Sequence, residues 1–256
     1  MLLLVDAGNT RIKWALADCA ESLGRWSASG SVEREDVLHL ADAWRGVRIG
    51  RVLLSNVAGQ EMRAALEQAL LGAAKPASVE WFASVPLLGG VRNGYRNPAQ
   101  LGCDRFAAAI GAHAFFPGRH LVVATCGTAT TIDAVSAGGV FLGGMILPGL
   151  GLMAASLARN TAQLPQVTKH DAFTTPFADN TDDAIVSGCI AAQAGAIEHA
   201  VAANARLHRH ATVQCILSGG AAAMIAPHLS VPCDRVDNLV LIGLHAVAMQ
   251  SRPAHF

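Results

Sequence analysis

The feature that most limits how this chain can fold is a short apolar run that breaks at a glycine turn and resumes as an alternating strand, and it occurs twice. Residues 2–5 are apolar and end at Asp6. Ala7-Gly8-Asn9-Thr10 is turn chemistry, and Ile12, Trp14 and Leu16 then alternate with Lys13 and Ala15 at the period of a strand. Farther on, residues 121–124 are an apolar run, Thr125-Cys126-Gly127-Thr128 a turn, and residues 130–135 a strand. Aligning Gly8 with Gly127 gives an offset of 119 residues, about one domain length. After the first opening come a strand at 51–57, a helix at 61–71 with Met62, Leu66, Ala69 and Leu70 on one face, and a helix at 102–114. After the second come a strand at 140–147, a helix at 181–207, a strand at 212–217 and a helix at 238–250. The expected fold is a duplicated α/β architecture. Its domains are residues 1–117 and 118–256, divided where Pro117–His120 breaks the pattern.

Composition narrows the function. Formal net charge is zero and no basic patch stands out, so nucleic acid is not an expected partner. The histidines are scattered with no pair at zinc spacing, and His208 and His210 read as a solvated helix end. Cys19, Cys103, Cys126, Cys189, Cys215 and Cys233 form no C-x-x-C pair, which suits reduced thiols in a cytoplasmic protein. Residues 1–5 are too short for a signal sequence. The apolar stretch 141–155 contains Gly and Pro and is too short to span a bilayer, so no membrane is expected.

Four segments could carry chemistry. The first turn, Asp6-Ala7-Gly8-Asn9-Thr10, lets backbone N–H groups approach an anion, with Lys13 adding positive charge. Asp6 would repel phosphate but can hold Mg²⁺ or its water shell. An ordinary hairpin turn explains the same residues. Gly127-Thr128-Ala129-Thr130-Thr131 repeats the arrangement with hydroxyls. Ser218-Gly219-Gly220 leaves room for a flat ring or is simply a tight turn. Neither a Walker A loop nor a G-x-G-x-x-G fingerprint is present. The fourth segment, Tyr95-Arg96-Asn97-Pro98-Ala99-Gln100-Leu101-Gly102-Cys103-Asp104-Arg105, holds the only tyrosine. Asp104 either stabilises a helix N-terminus or orients an acceptor hydroxyl and takes its proton. Arg105 can grip a carboxylate in bidentate fashion.

Taken in order, these segments resemble the type III pantothenate kinases. D-A-G-N-T-R-I-K at Asp6–Lys13 is similar to that family's first phosphate motif, and Tyr95–Arg105 to its pantothenate-binding segment. G-T-A-T-T-I-D at Gly127–Asp133 is similar to its second phosphate motif. G-G-M-I-L-P-G at Gly143–Gly149, N-T-D-D-A-I-V-S-G at Asn180–Gly188 and Ser218-Gly219-Gly220 also fit. The resemblance implies two RNase H-like domains of the acetate-kinase/sugar-kinase/Hsp70/actin superfamily, with ATP in the cleft between them. It also implies a homodimer that phosphorylates the primary hydroxyl of (R)-pantothenate in the first step of coenzyme A synthesis. Carried over by position, Asp104 is the general base. Tyr95, Gly102, Cys103 and Arg105 line the pantothenate pocket, and Thr181 reaches it from the neighbouring subunit. Asp6, Ala7, Gly8, Asn9, Thr10, Arg11, Ile12 and Lys13, with Thr128, hold ATP and its metal. The family's second phosphate motif often begins with an Asp that helps bind a monovalent cation, K⁺ or NH₄⁺; here that position is Thr125, a weaker ligand. Other kinases of the superfamily, and a non-catalytic accessory factor for transcription, are the competing expectations.

Overall fold

The computed structural model of the chain describes residues 1–18, 22–73, 76–167 and 177–250; Cys19 lies outside them. Two compact units emerge. The first comprises Met1–Pro117, Gly139–Phe141 and the chain from Asn238 onward, and the second comprises Gly118–Gly138 and Leu142–Asp237.

In the first unit, β1 (Leu2–Ala7), β2 (Arg11–Ala17) and β3 (Ala28–Glu33) pair antiparallel in succession. Helix α1 (Leu40–Trp44) leads to β4 (Arg51–Asn56), which lies parallel to β1. Helix α2 (Gln60–Ala73) returns the chain to β5 (Ser78–Trp81), parallel to β4, for a sheet order of β3-β2-β1-β4-β5. A small antiparallel ribbon, β6 (Leu87–Leu88) and β7 (Val91–Asn93), follows; Val140 and Phe141 pair in parallel with Arg92 and Asn93. Helix α3 (Cys103–Phe115) completes this stretch.

Strand β1 is apolar almost throughout because both faces of the sheet are covered. Side-chain alternation sorts its residues. Leu3, Val5 and Ala7 join Ile12, Trp14, Val52 and Leu54 in a core with Trp44, Leu66 and Leu70 from α1 and α2. Leu2, Leu4 and Asp6 therefore point to the opposite face, where α3 packs on β4.

The second unit repeats this plan. Its elements are β8 (His120–Cys126), β9 (Ala129–Val135), β10 (Val140–Pro148), α4 (Leu150–Asn160), α5 (Thr181–Leu207), β11 (Val213–Ser218), α6 (Ala222–Ile225) and β12 (Cys233–Arg235). Strand β8 takes the central place, antiparallel to β9 and parallel to β11, in the order β12-β11-β8-β9-β10. The duplication expected from two glycine turns is thus one of whole sheets: first hairpin, third strand beside it, then two parallel strands on the other side. Helix α5 is long and apolar enough by length and composition to cross a membrane, but half of its most apolar window is buried in this unit. Ile185, Cys189, Ile190 and Ile197 pack on Val122, Ala124 and Leu217. Its buried Gln193 and Asn204 donate to the carbonyls of Pro148 (2.7 Å) and Leu121 (3.0 Å), so it is a core helix. At its C-terminal end His208 stacks on His120, ring centres 3.7 Å apart, rather than lying free in solvent as its polar neighbours suggest.

The last helix, α7 (Leu239–Gln250), corrects the division read from the sequence. A cut at 117/118 assigns it to the second domain, yet it packs on α3 in the first unit. The cause is steric and hydrophobic. Residues 239–248 of α7 and 105–112 of α3 are buried all round, and a helix apolar on every side must be enclosed. Glycines let the two backbones touch: a Cβ on Gly243 would collide with the carbonyl of Ala107, and one on Gly111 with the carbonyl of Leu239. Gly243→Ala should therefore destabilise the fold by about 1–3 kcal/mol, the usual range for overpacking, seen as a Tm lowered by several degrees in thermal denaturation. An unchanged Tm would mean that the helices separate without cost.

Candidate active site

The first unit gathers most of the expected residues at one end of its sheet. Register places Lys13 directly across from Asp6 on β2, and Ser55 directly across from it on β4. All three side chains lie on the face that α3 covers. The turn between β1 and β2 is closed by the Gly8 N–H donating to the Arg11 carbonyl at 3.0 Å, and it is anchored by the Arg34 N–H donating to the Thr10 carbonyl at 2.9 Å. Asn9 and Thr10 are exposed at its tip. Ala7 and Ile12 are fully buried, so they hold the hairpin rather than present a group to a ligand. Arg11 forms an exposed ion pair with Glu33 at 2.8 Å.

Asp104 sits in the first turn of α3, its Oδ1 accepting the Arg105 N–H at 2.8 Å. It thus stabilises the helix start, and its charge also reaches Asp6. Burial is the main cause that raises the Asp104 pKa; the Arg105 N–H and guanidinium pull it back. Burial likewise pushes Asp6 up to about 7; the negative charge of Asp104 adds to this and Lys13 opposes it. A Cβ on Gly102 would meet Asp104 Oδ1 at 2.7 Å, so a side chain there would displace the carboxylate.

The loop before α3 is built to seat Tyr95 and Arg105. Asn93 accepts the Tyr95 N–H at 3.0 Å and donates to the Pro98 carbonyl at 3.0 Å, while Asn97 caps the short turn at Pro98–Gln100. Arg105, only 7% exposed, donates to Tyr95 Oη at 3.0 Å, and its guanidinium lies 5.8 Å from the ring centres of both Tyr95 and Phe141. Phe141, Ser55 and Asn56 belong to this site and were not expected. Ser55-Asn56 was legible in principle, as a polar pair closing an apolar strand; Phe141 arrives from 36 residues beyond Arg105 and left no local signal. Cys103 turns its thiol toward β4, with Sγ 3.4 Å from Ser55 Oγ and donating to the Asn56 carbonyl at 3.6 Å.

Thr125, Thr128 and Thr181 lie in the second unit. Thr128 is exposed at the β8–β9 tip, whose backbone is crowded by Gly149 and Gly219: a Cβ on either would strike the carbonyl of Gly127 or Cys126. Thr125 has Thr131 on one side and Ser218 on the other, and Thr131 Oγ1 is buried with no hydrogen-bond partner among the described residues. Thr181 opens α5 after the capping residue Asn180 and lines an apolar groove of about 620 Å³ between α4 and α5.

Among the described residues no three His, Cys, Asp or Glu side chains cluster as a metal site. Asp6 nevertheless fits a hard divalent cation: it is an oxygen donor whose buried charge lacks full compensation, and Mg²⁺ takes one or two carboxylates with substrate phosphates and water. The raised pKa has a stability consequence. The folded state holds the Asp6 proton more tightly than the unfolded state does. The cost of ionisation is therefore absent below about 3.8 and complete above about 7. In metal-free buffer, Asp6→Asn should stabilise the protein at pH 8 by on the order of 1–3 kcal/mol, since one pKa unit is worth about 1.4 kcal/mol. The gain in Tm should shrink steadily toward pH 4; an equal gain at both pH values would point to packing instead.

The type III pantothenate kinase family model matches residues 2–203. The type III pantothenate kinases of Janthinobacterium sp. (strain Marseille) and Herminiimonas arsenicoxydans are each 66% identical, over 99% of this chain and 99% of theirs. Among solved structures, a Campylobacter jejuni protein described as a Baf family transcriptional activator superposes with a TM-score of 0.60 at 18% identity, covering 97% of this chain and 98% of that one. A Sinorhizobium meliloti protein described as a 2-dehydro-3-deoxygalactonokinase gives 0.53 at 16% identity, covering 99% and 100%. These structural likenesses show a shared fold, and the sequence matches establish the lineage: the chain belongs to the type III pantothenate kinase family.

Proposed function

We propose that this chain transfers the γ-phosphoryl group of ATP to the primary hydroxyl of (R)-pantothenate, giving 4'-phosphopantothenate at the entry to coenzyme A synthesis. One observation carries the reading at the level of residues: Asp104, raised in pKa and electrostatically coupled to Asp6, stands beside an arginine packed against a pair of touching aromatic rings. Asp104 orients the acceptor hydroxyl and takes its proton. A pKa above the usual carboxylate value brings it closer to the working pH than an exposed Asp would be. Arg105, fixed by Tyr95, meets the substrate carboxylate. The hairpin tip at Gly8–Thr10 supplies N–H and hydroxyl donors to the phosphates. Mg²⁺ held at Asp6 neutralises phosphate charge when bound. K⁺ or NH₄⁺, if required, binds without a carboxylate at position 125.

The protein works in the cytoplasm as a homodimer on this reading. Free thiols at all five described cysteines suit a reducing compartment. The dimer is supported by exposed apolar side chains on consecutive elements of the second unit: Leu142 (40% exposed) and Ile146 (65%) on β10, and Leu152 (46%) on α4. In a dimer, Thr181 approaches the pantothenate of the partner subunit.

ADP release followed by a coupled assay with ATP and Mg²⁺ should depend on added pantothenate. Asp104→Asn should lower kcat by roughly 10²–10⁴, as for other positioned bases. Turnover indifferent to pantothenate, or near-normal turnover by the variant, contradicts the assignment. Sedimentation velocity should show a dimer that Ile146→Glu converts to monomer; a monomeric wild type rejects the interface.

A further inference from the structure

We propose that Ser55 and Cys103 are positioning residues that set the spacing between Asp6 and Asp104, through a hydroxyl–thiol–carbonyl chain joining the end of β4 to the first turn of α3. The inference rests on the phosphotransfer reading above.

Ser55 is fully buried and is the register neighbour of Asp6. Cys103 immediately precedes Asp104. Each member of this pair is therefore tied, by backbone pairing or by a peptide bond, to one of the two carboxylates. Burial holds the thiol pKa above its usual value, so the sulfur carries its proton at neutral pH. That single proton goes to the Asn56 carbonyl. The Ser55 hydroxyl is then the donor in the 3.4 Å contact with Sγ, and both hydrogen-bonding capacities of the sulfur are used. The chain runs Ser55 Oγ–H to Cys103 Sγ–H to Asn56 carbonyl.

The rest of α3 is held elsewhere. Its middle is locked to α7 at Gly111 and Gly243, and Arg105 is held by Tyr95 Oη and flanked by two rings. Neither anchor acts on the residue that carries Asp104 from the β4 side. Loss of the sulfur or the hydroxyl lets the Cys103–Asp104 start of α3 move relative to β1, and with it the Asp104 carboxylate, while the Arg105 guanidinium stays bonded to Tyr95. A displacement of about 1 Å at a reacting group is enough to cost up to 10²-fold in rate. The expected signature is a fall in kcat with little change in substrate affinity.

Ser55→Ala and Cys103→Ala should each lower kcat about tenfold, with KM for pantothenate and for ATP within twofold of wild type. The double variant should be little worse than either single one, because both break the same chain. Cys103→Ser keeps a donor and an acceptor at this position and should recover most of kcat. Assays at a temperature well below each variant's Tm separate this from a loss of folded protein; if Cys103→Ala is insoluble, Ser55→Ala and Cys103→Ser carry the test. Variants with lowered Tm but kcat within twofold of wild type overturn the positioning role, as do strictly multiplicative losses in the double variant. A wild-type protein with no pantothenate-dependent ADP release fails the functional reading itself. An active wild type with unaffected variants fails only this inference.

Discussion

Two carboxylates set the terms for the first unit: Asp6 at the end of its central strand and Asp104 at the start of α3. Burial raises the pKa of both, and at Asp6 the negative charge of Asp104 adds to it. An arrangement of this kind persists in a fold only where the surroundings hold it. Lys13 stands across one strand pair from Asp6; the Arg105 N–H and guanidinium stand against Asp104. A bound cation and an acceptor hydroxyl would complete what the protein leaves half compensated. The strand end that carries Asp6 is where ligands gather in open α/β sheets generally.

The two units share a strand order but not a charge pattern. In the first, the row across the sheet reads Lys13, Asp6, Ser55; in the second, the register-equivalent row reads Thr131, Thr125, Ser218. The second hairpin is also one residue tighter, with Cys126 paired to Thr130 where Ala7 pairs to Ile12. The row in the second unit is thus neutral where that in the first holds an acid beside a base.

What the sequence revealed follows from where the signal is local. Both hairpins, the strand at Arg51–Asn56 and the helices at Gln60–Ala73 and Thr181–Leu207 stand out because buried runs and helical stripes are written in consecutive residues. Strands β3, β5 and β12 were not legible: they are sheet edges with alternately or largely exposed residues, and Ala28–Glu33 contains no apolar alternation. Helix α4 was hidden because its first six residues, Leu150–Ala155, are apolar or Gly and continue an apolar stretch, and its polar residues Ser156, Arg159 and Asn160 come only toward its end. At the site, the Asp104–Arg105 corner was legible from its own motif. The partners that give it geometry, Ser55, Asn56 and Phe141, come from separate parts of the chain, and only folding brings them together.

The same logic explains why α7 could not be assigned from its position. Helix α3 presents a glycine and alanines along the surface next to α7, which gives close backbone approach but little side-chain area of its own. Such a surface is stable only under a partner that also thins its side chains at the crossing, and Gly243 makes α7 that partner. The chain therefore opens in the first unit, builds the second, and returns to close the first with its final described helix. Helix α3 is thus braced by a segment more than 120 residues farther along the chain. Long-range closure of this kind slows folding, because distant segments must meet before their contacts are gained. In exchange, Asp104 rides on a helix enclosed along most of its length, and rigid supports of that kind are what precise sites require.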